Sequence, residues 1–522
     1  MAPKSFSPDD VRRCIDLLEA IVADRMRLSE MSDEDRLALL VAAGRVSRPL
    51  RDESQRMSKA FRAHVRKRDQ QTDRDTRADS GIRVARTAEV FAAPRELVEP
   101  VPEKDEPAAA VRELITPRAC YVCKISFTQL HFFYDALCPP CAELNYRKRF
   151  QTASLEGRVA LITGARIKIG FQAALMMLRA GARVLVTTRF PRDAATRFTR
   201  EADFPQWKHR LEVYGLDLRH SPSVEIFARY VDRTHERLDI LINNAAQTVR
   251  RPAAFYAPLL GLETLPFEQL DGDVQAVLRG HEACSEAISG RSLEAGQGPE
   301  AGALTRATGL STFHGGDAGI GIRASALLSQ LPCAYDDVVT APELFPEGQR
   351  DADLQQIDLR TMNSWRLSLG DVPAPEMLEV QLVNAVAPFI LASKLKPLMS
   401  RKPTGDRHIV NVSAVEGQFS RHTKTDKHPH TNMAKAALNM MTLTSAPGYA
   451  AAGIFMNAID TGWVTDEDPA AHAQRKQDVH DFQPPLDIVD GAARVCDPFF
   501  SGLLTGQHVW GKFLKDYASA NW

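Results

Sequence analysis

The sequence lacks the features that would assign it to a special class. Among its 522 residues, 65 basic and 66 acidic side chains leave a net charge of −1, so no charge excess favours nucleic acid as a partner. No apolar run approaches membrane-spanning length, and the first residues lack the apolar stretch of a secretory signal. These absences predict a soluble, cytoplasmic protein that binds neither membranes nor nucleic acid.

Cysteine is also scarce, and half of it is clustered. Four of the eight cysteines are scattered singly, which fits free thiols in a reducing compartment. The other four form two Cys-x-x-Cys pairs that are typical of a tetrahedral Zn²⁺ site, and four sulfur ligands leave no open position, so the metal should be structural. A redox dithiol pair is the alternative, although one redox centre needs only one such pair. The predicted ligands are Cys120, Cys123, Cys138 and Cys141.

Composition divides the chain into four regions. Apolar residues at helical spacing predict an amino-terminal helical region. An arginine-rich, mixed-charge stretch that is poor in large apolar residues follows, and we interpret it as a linker, helical or partly disordered. The predicted bounds are 1–44 for the helical region, 45–115 for the linker, 116–150 for a zinc ribbon and 151–522 for the remaining domain.

Beyond Leu155, short buried strands alternate with helices. That order predicts the α/β class, with a doubly wound parallel sheet of the Rossmann type. An insertion at about 256–360 interrupts the pattern, and its Gly-, Ala- and Ser-rich part at 285–320 predicts a mobile loop. The two halves without the insertion total roughly 260 residues, the size of one doubly wound domain.

Several motifs follow the strands in a fixed order. The first strand leads into the turn Thr163-Gly-Ala-Arg-Ile-Lys-Ile-Gly170, where backbone N–H groups could meet a pyrophosphate. Asn243-Asn-Ala-Ala246, Asn411-Val-Ser413 and Lys435 come later. This set resembles the short-chain dehydrogenase/reductase family over residues 155–255 and 360–522. A Rossmann-like domain that binds another nucleotide is the alternative.

The resemblance implies a dinucleotide site at the strand ends. Gly164 and Gly170 would line the phosphates, Asp217 would lie at the adenine, and Asn243 would border the adenosine ribose. The segment at 461–465 would lie beside the nicotinamide. The implied cofactor residues are Thr163, Gly164, Arg166, Lys168, Ile169, Gly170, Arg189, Asp217, Leu218, Asn243, Ala245, Lys435, Gly462, Val464 and Thr465.

Charge at the end of the second strand indicates which cofactor is bound. An NAD site needs a carboxylate there for the ribose 2′-OH, but the chain has Arg189, with Arg192 behind it and Arg166 in the glycine turn. Guanidinium groups suit a 2′-phosphate, which favours NADP(H) over NAD(H), unless Arg189 faces solvent. Lys168 replaces the middle glycine of the turn and should crowd the pyrophosphate unless it swings outward or acts as a phosphate cation.

The implied catalytic residues include one departure from the family. Ser413 would hydrogen-bond the substrate oxygen, Asn384 would anchor a proton-relay water, and Lys435 would hold the nicotinamide ribose and lower the pKa of the proton donor. Thr431 stands where that donor, a tyrosine, is expected. An alkyl hydroxyl cannot exchange a proton near neutral pH, and such assistance is worth about 10²–10⁴ in rate.

The loop before Lys435 offers a substitute donor. His430 adjoins the missing phenol and titrates in the needed range, so it is the predicted replacement. His428 and Tyr449 are further candidates. The histidines of this loop could instead bind a metal or only hydrogen-bond the backbone.

Two further stretches resemble a subgroup of large short-chain dehydrogenase-like proteins that carry a zinc ribbon. They read Thr248-Val-Arg-Arg-Pro252 and Asp460-Thr-Gly-Trp-Val464. That resemblance implies a fold and a cofactor site but no settled substrate. Arg250 and Arg251 could address an anionic group, or they form an ordinary surface pair.

Two functions are consistent with these observations. One is an NADP(H)-dependent oxidoreductase that acts on an unknown carbonyl or alcohol with a substituted proton donor. The other is a catalytically weak NADP(H)-binding regulatory or scaffold protein that contacts a protein partner through the zinc ribbon and the insertion. The family resemblance also implies a homodimer or tetramer, paired through the helices that carry Asn384 and Lys435.

Overall fold

The computed structural model describes residues 6–87, 112–295, 318–331, 343–351, 355–421 and 424–521. The chain divides into two compact units, Met1–Asp73 and Arg74–Trp522. Cys333, His422 and most of the predicted mobile loop lie outside the described residues.

The first unit is helical. Its helices are Pro8–Ala23, Asp33–Ser47 and most of Arg51–Ala78, with a short 3-10 turn at Arg25–Glu30. Ser7 begins the first helix with a reciprocal capping pair to Asp10, which satisfies two backbone N–H groups at the helix start. The long helix runs through part of the stretch for which a helical or partly disordered linker was predicted.

The second unit is built on an eight-stranded sheet. Its strands are β3 (Val159–Thr163), β4 (Arg183–Thr188), β5 (Leu211–Gly215), β6 (Ile240–Asn243), β7 (Arg407–Ser413), β8 (Ile454–Asp460), β9 (Phe513–Lys515) and β10 (Ala518–Ala520). They lie in the order β10-β9-β8-β7-β6-β3-β4-β5, and all neighbouring strands are parallel except the β9–β10 hairpin. The predicted doubly wound Rossmann fold is therefore confirmed.

Helices cover both faces of the sheet, as buried parallel strands require. Lys168–Arg179 and Ile488–Thr505 pack together on one face. The other face carries Ser221–Thr234, Ala387–Ser400 and part of Pro429–Ala450. Strand order reverses between β3 and β6, and ligands bind such sheets at the carboxyl ends of the strands where this reversal occurs. Shorter helices of this unit are Gly81–Arg86, Pro191–Thr199, Phe204–Trp207 and Ala470–His480.

One helical stretch corrects the expectation that no apolar run reaches membrane-spanning length. Ala374–Ser400 is long and apolar enough by length and composition, but half of its most apolar window is buried inside the protein. It contains a π-helical turn at Leu382–Val386 between α-helices Ala374–Gln381 and Ala387–Ser400. Its packing against the sheet is that of a core helix, which explains its composition.

The insertion is more regular than predicted. Helices Ala253–Glu263, Gly272–Ala295 and Ile320–Arg323 lie within or beside it, so residues 285–295 extend a helix and are not the loop that their composition predicted. Phe255 and Tyr256 pack against Phe190, directly after β4, and against Phe345. The start of the insertion therefore covers the carboxyl end of β4.

The cysteine-rich segment forms a small subdomain. Strands β1 (Glu113–Ala119) and β2 (Ser126–Gln129) pair as a hairpin, and helix Pro139–Lys148 follows. Its core also includes Val464, Leu486 and Ile488, which belong to the segment after β8. The subdomain is thereby built onto the edge of the larger domain.

Candidate active site

A cavity of about 870 Å³ opens at the carboxyl edge of the sheet. Residues from the glycine turn and from the ends of β4, β5, β6, β7 and β8 line it. This is the position that strand reversal predicts for a ligand site. Fourteen of the residues predicted for cofactor binding or catalysis line the cavity: Gly164, Arg166, Lys168, Ile169, Gly170, Arg189, Asp217, Leu218, Ala245, Ser413, Lys435, Gly462, Val464 and Thr465.

The glycine turn is fitted tightly to the turn after β6. Thr163 Oγ1 accepts hydrogen bonds from the backbone N–H groups of Asn244 (3.1 Å) and Ala245 (3.0 Å). Gly164 has φ +68°, and a Cβ there would lie 2.8 Å from the Ala245 Cα. A Cβ at Gly170 would lie 2.5 Å from the Gly164 carbonyl oxygen. Only glycine fits at these two positions, while Thr163 itself lies behind the cavity wall.

Helix Lys168–Arg179 begins at this turn without a side-chain cap on its first N–H groups. Uncapped N–H groups at a helix start attract anions, so the turn fits a pyrophosphate. Lys168 adopts φ +54°, the left-handed conformation that a glycine would take and that costs another residue about 1–2 kcal/mol. Burial disfavours the Glu467 carboxylate, but the charges of Lys168 and Arg251 hold the pKa of Glu467 below its usual value. Lys168 and Glu467 both line the cavity, and the Lys168 charge favours the ionised Glu467 carboxylate.

The arginines predicted for the 2′-phosphate have different surroundings. Arg166 is buried and paired with Asp193 at 2.7 Å, and Arg192 donates to the Glu263 carbonyl at 2.7 Å without lining the cavity. Arg189 lines the cavity, lies 4.6 Å from the Tyr256 ring centroid and donates to its hydroxyl at 2.7 Å. Among the described residues no carboxylate lies within ion-pair distance of Arg189. Of the three arginines predicted for the 2′-phosphate, Arg189 is therefore the one that lines the cavity without an ion-pair partner among the described residues.

A buried ion pair lies at the end of the cavity beside β5. Arg219 donates to both carboxylate oxygens of Asp217, at 2.6 Å in the shortest contact. Burial raises the pKa of Asp217, but Arg219 more than offsets it, and the pKa lies below its usual value. Asn243, predicted for the ribose, is buried behind the wall and donates to Asn411 Oδ1 at 2.8 Å. Asn243 therefore ties β6 to β7 and does not line the cavity.

Ser413 and Lys435 meet at the other end of the cavity. Ser413 ends β7, and its hydroxyl donates to the Lys435 carbonyl at 3.4 Å. The Lys435 ammonium is buried and donates to the Val412 carbonyl at 2.8 Å. Burial lowers the pKa of Lys435 to about 8, although the carboxylates of Glu416 and Asp460 oppose that shift. A lysine with this pKa is still mostly cationic at neutral pH.

Asn384 lies in the π-helical turn behind the cavity wall. Its Oδ1 accepts from the Gln247 N–H at 2.7 Å, and its Nδ2 donates to the Gln247 carbonyl at 3.2 Å. Gln247 lines the cavity but Asn384 does not. Asn384 therefore positions the chain after β6, and single π turns often occur at functional sites.

His430 does not reach the cavity. It lies in the first turn of helix Pro429–Ala450, and its side chain is buried. Its Nε2 lies 3.3 Å from Glu376 Oε1. Thr431 is also buried, and its hydroxyl donates to the His428 carbonyl at 2.8 Å. The prediction that His430 replaces the proton donor is therefore wrong, because the helix directs His430 into the protein and away from the cavity. Tyr449 donates to the Ala392 carbonyl at 3.0 Å and likewise does not line the cavity.

Of the loop histidines that the structure describes, His428 lines the cavity. It precedes the helix in a left-handed conformation, with φ +40°. Its ring stacks on Trp365 at 3.8 Å with an interplanar angle of 8°, and Nδ1 lies 3.0 Å from Thr431 Oγ1. Burial lowers the pKa of His428, while Glu416 opposes that effect. Pro429, a favoured first residue of helices, was the sequence signal that could have placed His428 before the helix and His430 inside it.

Other cavity residues were not predicted. Trp365 and Tyr121 add aromatic walls, and Glu416 and Asp460 add carboxylates. Burial raises the pKa of Asp460, whose Oδ1 accepts from the Gly462 N–H at 2.8 Å. The position of Asp460 at the end of β8 could have indicated that this residue lines the cavity. No sequence signal indicated Tyr121, which lies between two predicted metal ligands.

Arg250 and Arg251, which precede the insertion, are paired with carboxylates. Arg250 donates to Glu379 at 3.0 Å and does not line the cavity. Arg251 lines the cavity and pairs with Asp358. Their charges are largely offset by these partners, which weakens the expectation that they address an anion.

The cysteine cluster suits a metal ion. Its four sulfur atoms lie within 4.8 Å of one another, and the Sγ atoms of Cys123 and Cys138 are 3.6 Å apart. Tetrahedral zinc with Zn–S bonds of about 2.3 Å requires sulfur atoms about 3.8 Å apart. The residues present therefore fit Zn²⁺, and the cluster comprises Cys120, Cys123, Cys138 and Cys141.

Two segments of this domain are similar to short-chain dehydrogenases. Residues 158–258 match the family model described as short chain dehydrogenase, and residues 362–486 match the one described as Enoyl-(Acyl carrier protein) reductase. The first match spans strands β3 to β6, and the second spans β7 and β8.

Individual proteins are similar to this chain over stretches of different length. An uncharacterized protein of Acanthamoeba polyphaga mimivirus is 29% identical over 73% of this chain and 71% of its own length. The Dehydrogenase/reductase SDR family member 13 of Bos taurus is 41% identical over 20% of this chain, which spans only 26% of that relative. A solved NADP active-site complex from Pseudomonas aeruginosa has 16% identity and a TM-score of 0.40 over 69% of this chain and 95% of that one.

Proposed function

We propose that this protein is an NADP(H)-dependent oxidoreductase that interconverts a carbonyl and an alcohol, with His428 as the proton donor. The observation that carries the proposal is the convergence of the glycine turn, Ser413, Lys435 and His428 on one cavity. The turn offers uncapped N–H groups at one end, and the three polar side chains lie at the other.

The residues present fit a nicotinamide dinucleotide. The glycine turn would hold the diphosphate, Arg189 would contact the 2′-phosphate, and Lys435 would reach the nicotinamide ribose. The strand end that would carry a carboxylate in an NAD site carries Thr188 and Arg189. When bound, the nicotinamide would supply or accept the hydride.

His428 is suited to proton transfer by its hydrogen bonds. The Thr431 hydroxyl donates to the His428 carbonyl, which leaves its oxygen to accept the N–H of His428 Nδ1 at 3.0 Å. This relay holds the proton on Nδ1 and leaves Nε2 for the substrate. In the reducing direction, protonated Nε2 would give its proton to the substrate oxygen held by Ser413, and solvent at the cavity mouth would restore it.

The test is turnover of NADPH with a panel of aldehydes and ketones. His428→Gln should lower kcat/KM by about 10²–10⁴, Lys435→Ala should also lower it, and both should keep the unfolding temperature within a few degrees. His430→Gln is the matched control and should leave the rate within about threefold, because that ring does not line the cavity. A normal rate in His428→Gln would remove it as the donor.

A second function is favoured by the absence of the phenol. Thr431 turns its hydroxyl into the loop and Lys435 donates to backbone, an arrangement that also suits a protein that binds NADP(H) and turns over little. Such a protein would act through a partner at the cysteine-rich subdomain and the insertion. NADPH binding with no turnover of any carbonyl, in wild type and variants alike, would select this function.

We also propose self-association through the helices that carry Asn384 and Lys435. Phe389 is 59% exposed and Leu443 is 51% exposed on these helices, and such apolar side chains favour a symmetric interface. Light scattering should give twice or four times the chain mass, and Phe389→Glu with Leu443→Glu should give the monomer. A monomeric wild type would contradict this proposal.

A further inference from the structure

The cysteine-rich subdomain contributes directly to the wall of the cavity. Tyr121 lies between Cys120 and Cys123 in the first cysteine pair, and its side chain lines the cavity. The Tyr121 hydroxyl accepts a hydrogen bond from the Trp463 N–H at 2.9 Å. Trp463 follows Gly462, the glycine proposed to lie beside the nicotinamide. One hydrogen bond therefore joins the predicted metal-binding turn to the dinucleotide wall.

The side chains packed around this hydrogen bond join the same two parts of the protein. Val464, Leu486 and Ile488 are buried in the core that contains Cys120 and Cys138, and Ile169 of the glycine turn packs against that core. A Cβ at Gly462 would lie 2.5 Å from Leu486 Cδ1 and 3.4 Å from the Tyr121 hydroxyl. The segment at 462–464 has little room to move unless the cysteine-rich subdomain moves with it.

Buried charges fix the subdomain to the start of helix Ile488–Thr505. Arg149 donates to Asp487 and Asp490, both at 2.8 Å, and Tyr134 donates to Asp490 at 2.5 Å. The cysteine-rich subdomain is therefore held to this part of the domain by buried polar contacts as well as by the shared apolar core.

We propose that metal binding by the four cysteines and dinucleotide binding in the cavity are thermodynamically coupled, with Tyr121 as the positioning residue between them. A bound metal ion fixes the turn that carries Tyr121, and Tyr121 fixes the backbone at Trp463. Coupling between two sites is reciprocal, so the factor by which zinc tightens NADP⁺ binding equals the factor by which NADP⁺ tightens zinc binding. This inference rests on the proposed dinucleotide site.

The experiment measures zinc transfer from the zinc-loaded full chain to a colorimetric chelator, with and without saturating NADP⁺. NADP⁺ should weaken transfer in the wild type at equilibrium. Tyr121→Phe keeps the ring but removes the acceptor, and it should bind NADP⁺ about fivefold more weakly, the effect of one hydrogen bond. The same variant should retain stoichiometric zinc and reduce the effect of NADP⁺ on zinc transfer by the same factor.

Tyr146→Phe is the matched control, because Tyr146 lies in the same subdomain but does not line the cavity. It should keep the wild-type NADP⁺ affinity and the wild-type effect on zinc transfer, which separates positioning by Tyr121 from general damage to the subdomain. NADP⁺ binding that is normal in the wild type but has no effect on zinc transfer would overturn the coupling and leave the proposed function standing. No NADP⁺ binding by the zinc-loaded wild type would overturn both.

Discussion

The two ends of the cavity differ in how far their geometry restricts the residues. At the end proposed to hold the phosphates, Gly164 and Gly170 pack against the neighbouring turn without space for a side chain, and even Lys168 adopts a glycine-like backbone. At the end proposed for proton transfer, Thr431 stands where the family resemblance implies a phenol, and His428 lines the cavity from outside the helix. Backbone geometry allows few replacements, whereas a proton donor can come from any neighbouring side chain.

We expect the largest effect on cofactor binding when an added side-chain atom crowds the end of the cavity that is proposed to hold the phosphates. Gly164→Ala adds a Cβ within 2.8 Å of the Ala245 Cα at a backbone φ of +68°. We expect NADP(H) affinity to fall by about 100-fold or more, about 2.7 kcal/mol, because the two turns must separate. Isothermal titration calorimetry measures the loss.

Gly157→Ala is the control for that change. Gly157 has a similar φ of +70°, but a Cβ there meets no heavy atom within 4 Å. It should cost about 1 kcal/mol of stability and leave NADP(H) affinity unchanged. Equal affinity losses in the two variants would show that backbone strain alone, and not the fit of the turns, controls binding.

At the other end, Lys435→Met should stabilise the protein while removing turnover. Burial lowers the pKa of Lys435 to about 8 from 10.5, so below pH 8 the folded state holds an ammonium that the unfolded state would hold more easily. The variant should gain about 3 kcal/mol in the free energy of unfolding at neutral pH.

The pH dependence has a definite sign. A lowered lysine pKa makes the unfolded state bind more protons between pH 8 and 10.5, so the stability of the wild type should rise with pH in that window relative to the variant. Urea unfolding at several pH values measures the difference. A variant that is less stable than the wild type at pH 7 would contradict the burial of a charged Lys435.

Arg189→Gln tests the proposed contact between Arg189 and the 2′-phosphate of the cofactor. We expect the preference for NADPH over NADH to fall by about tenfold or more, because a charge-assisted contact to the 2′-phosphate is lost. Arg183→Gln is the control: it lies at the exposed start of the same strand and pairs with Glu212 at 2.9 Å. If both variants keep the wild-type preference in competition binding, Arg189 does not contact the phosphate.

The smallest effect is a shift in the pH profile of carbonyl reduction. The donor must be protonated, and burial keeps the pKa of His428 below its ordinary value of 6.5. The kcat/KM should therefore be high in acid and fall tenfold per pH unit above that pKa. His428→Gln should lose this limb. A limb that persists in His428→Gln, or one that begins only in alkali, would assign the proton to another group.

Local sequence motifs predicted the fold and the glycine turn that lines one end of the cavity. The alternation of strands and helices gave the parallel order, and the glycine turn, Ser413 and Lys435 lie on one cavity because strand ends meet at one edge of the sheet. These relations depend on short stretches of chain, which a sequence displays directly.

Long-range contacts and side-chain direction could not be predicted in this way. Choosing His428 over His430 depends on where one helix begins, and Tyr121 reaches Trp463 across more than 300 residues. The pairing of Arg166 with Asp193 depends on how a helix packs after β4. Composition also missed the helix Gly272–Ala295, because Ala- and Ser-rich stretches are compatible with both loops and helices.

Calorimetric titration with NADP⁺ and NADPH tests the central claim most directly. The account predicts saturable binding of one dinucleotide per chain at micromolar to sub-millimolar concentrations, weakened by Gly164→Ala and unchanged by His430→Gln. Failure of both cofactor forms to bind at millimolar concentration would contradict it.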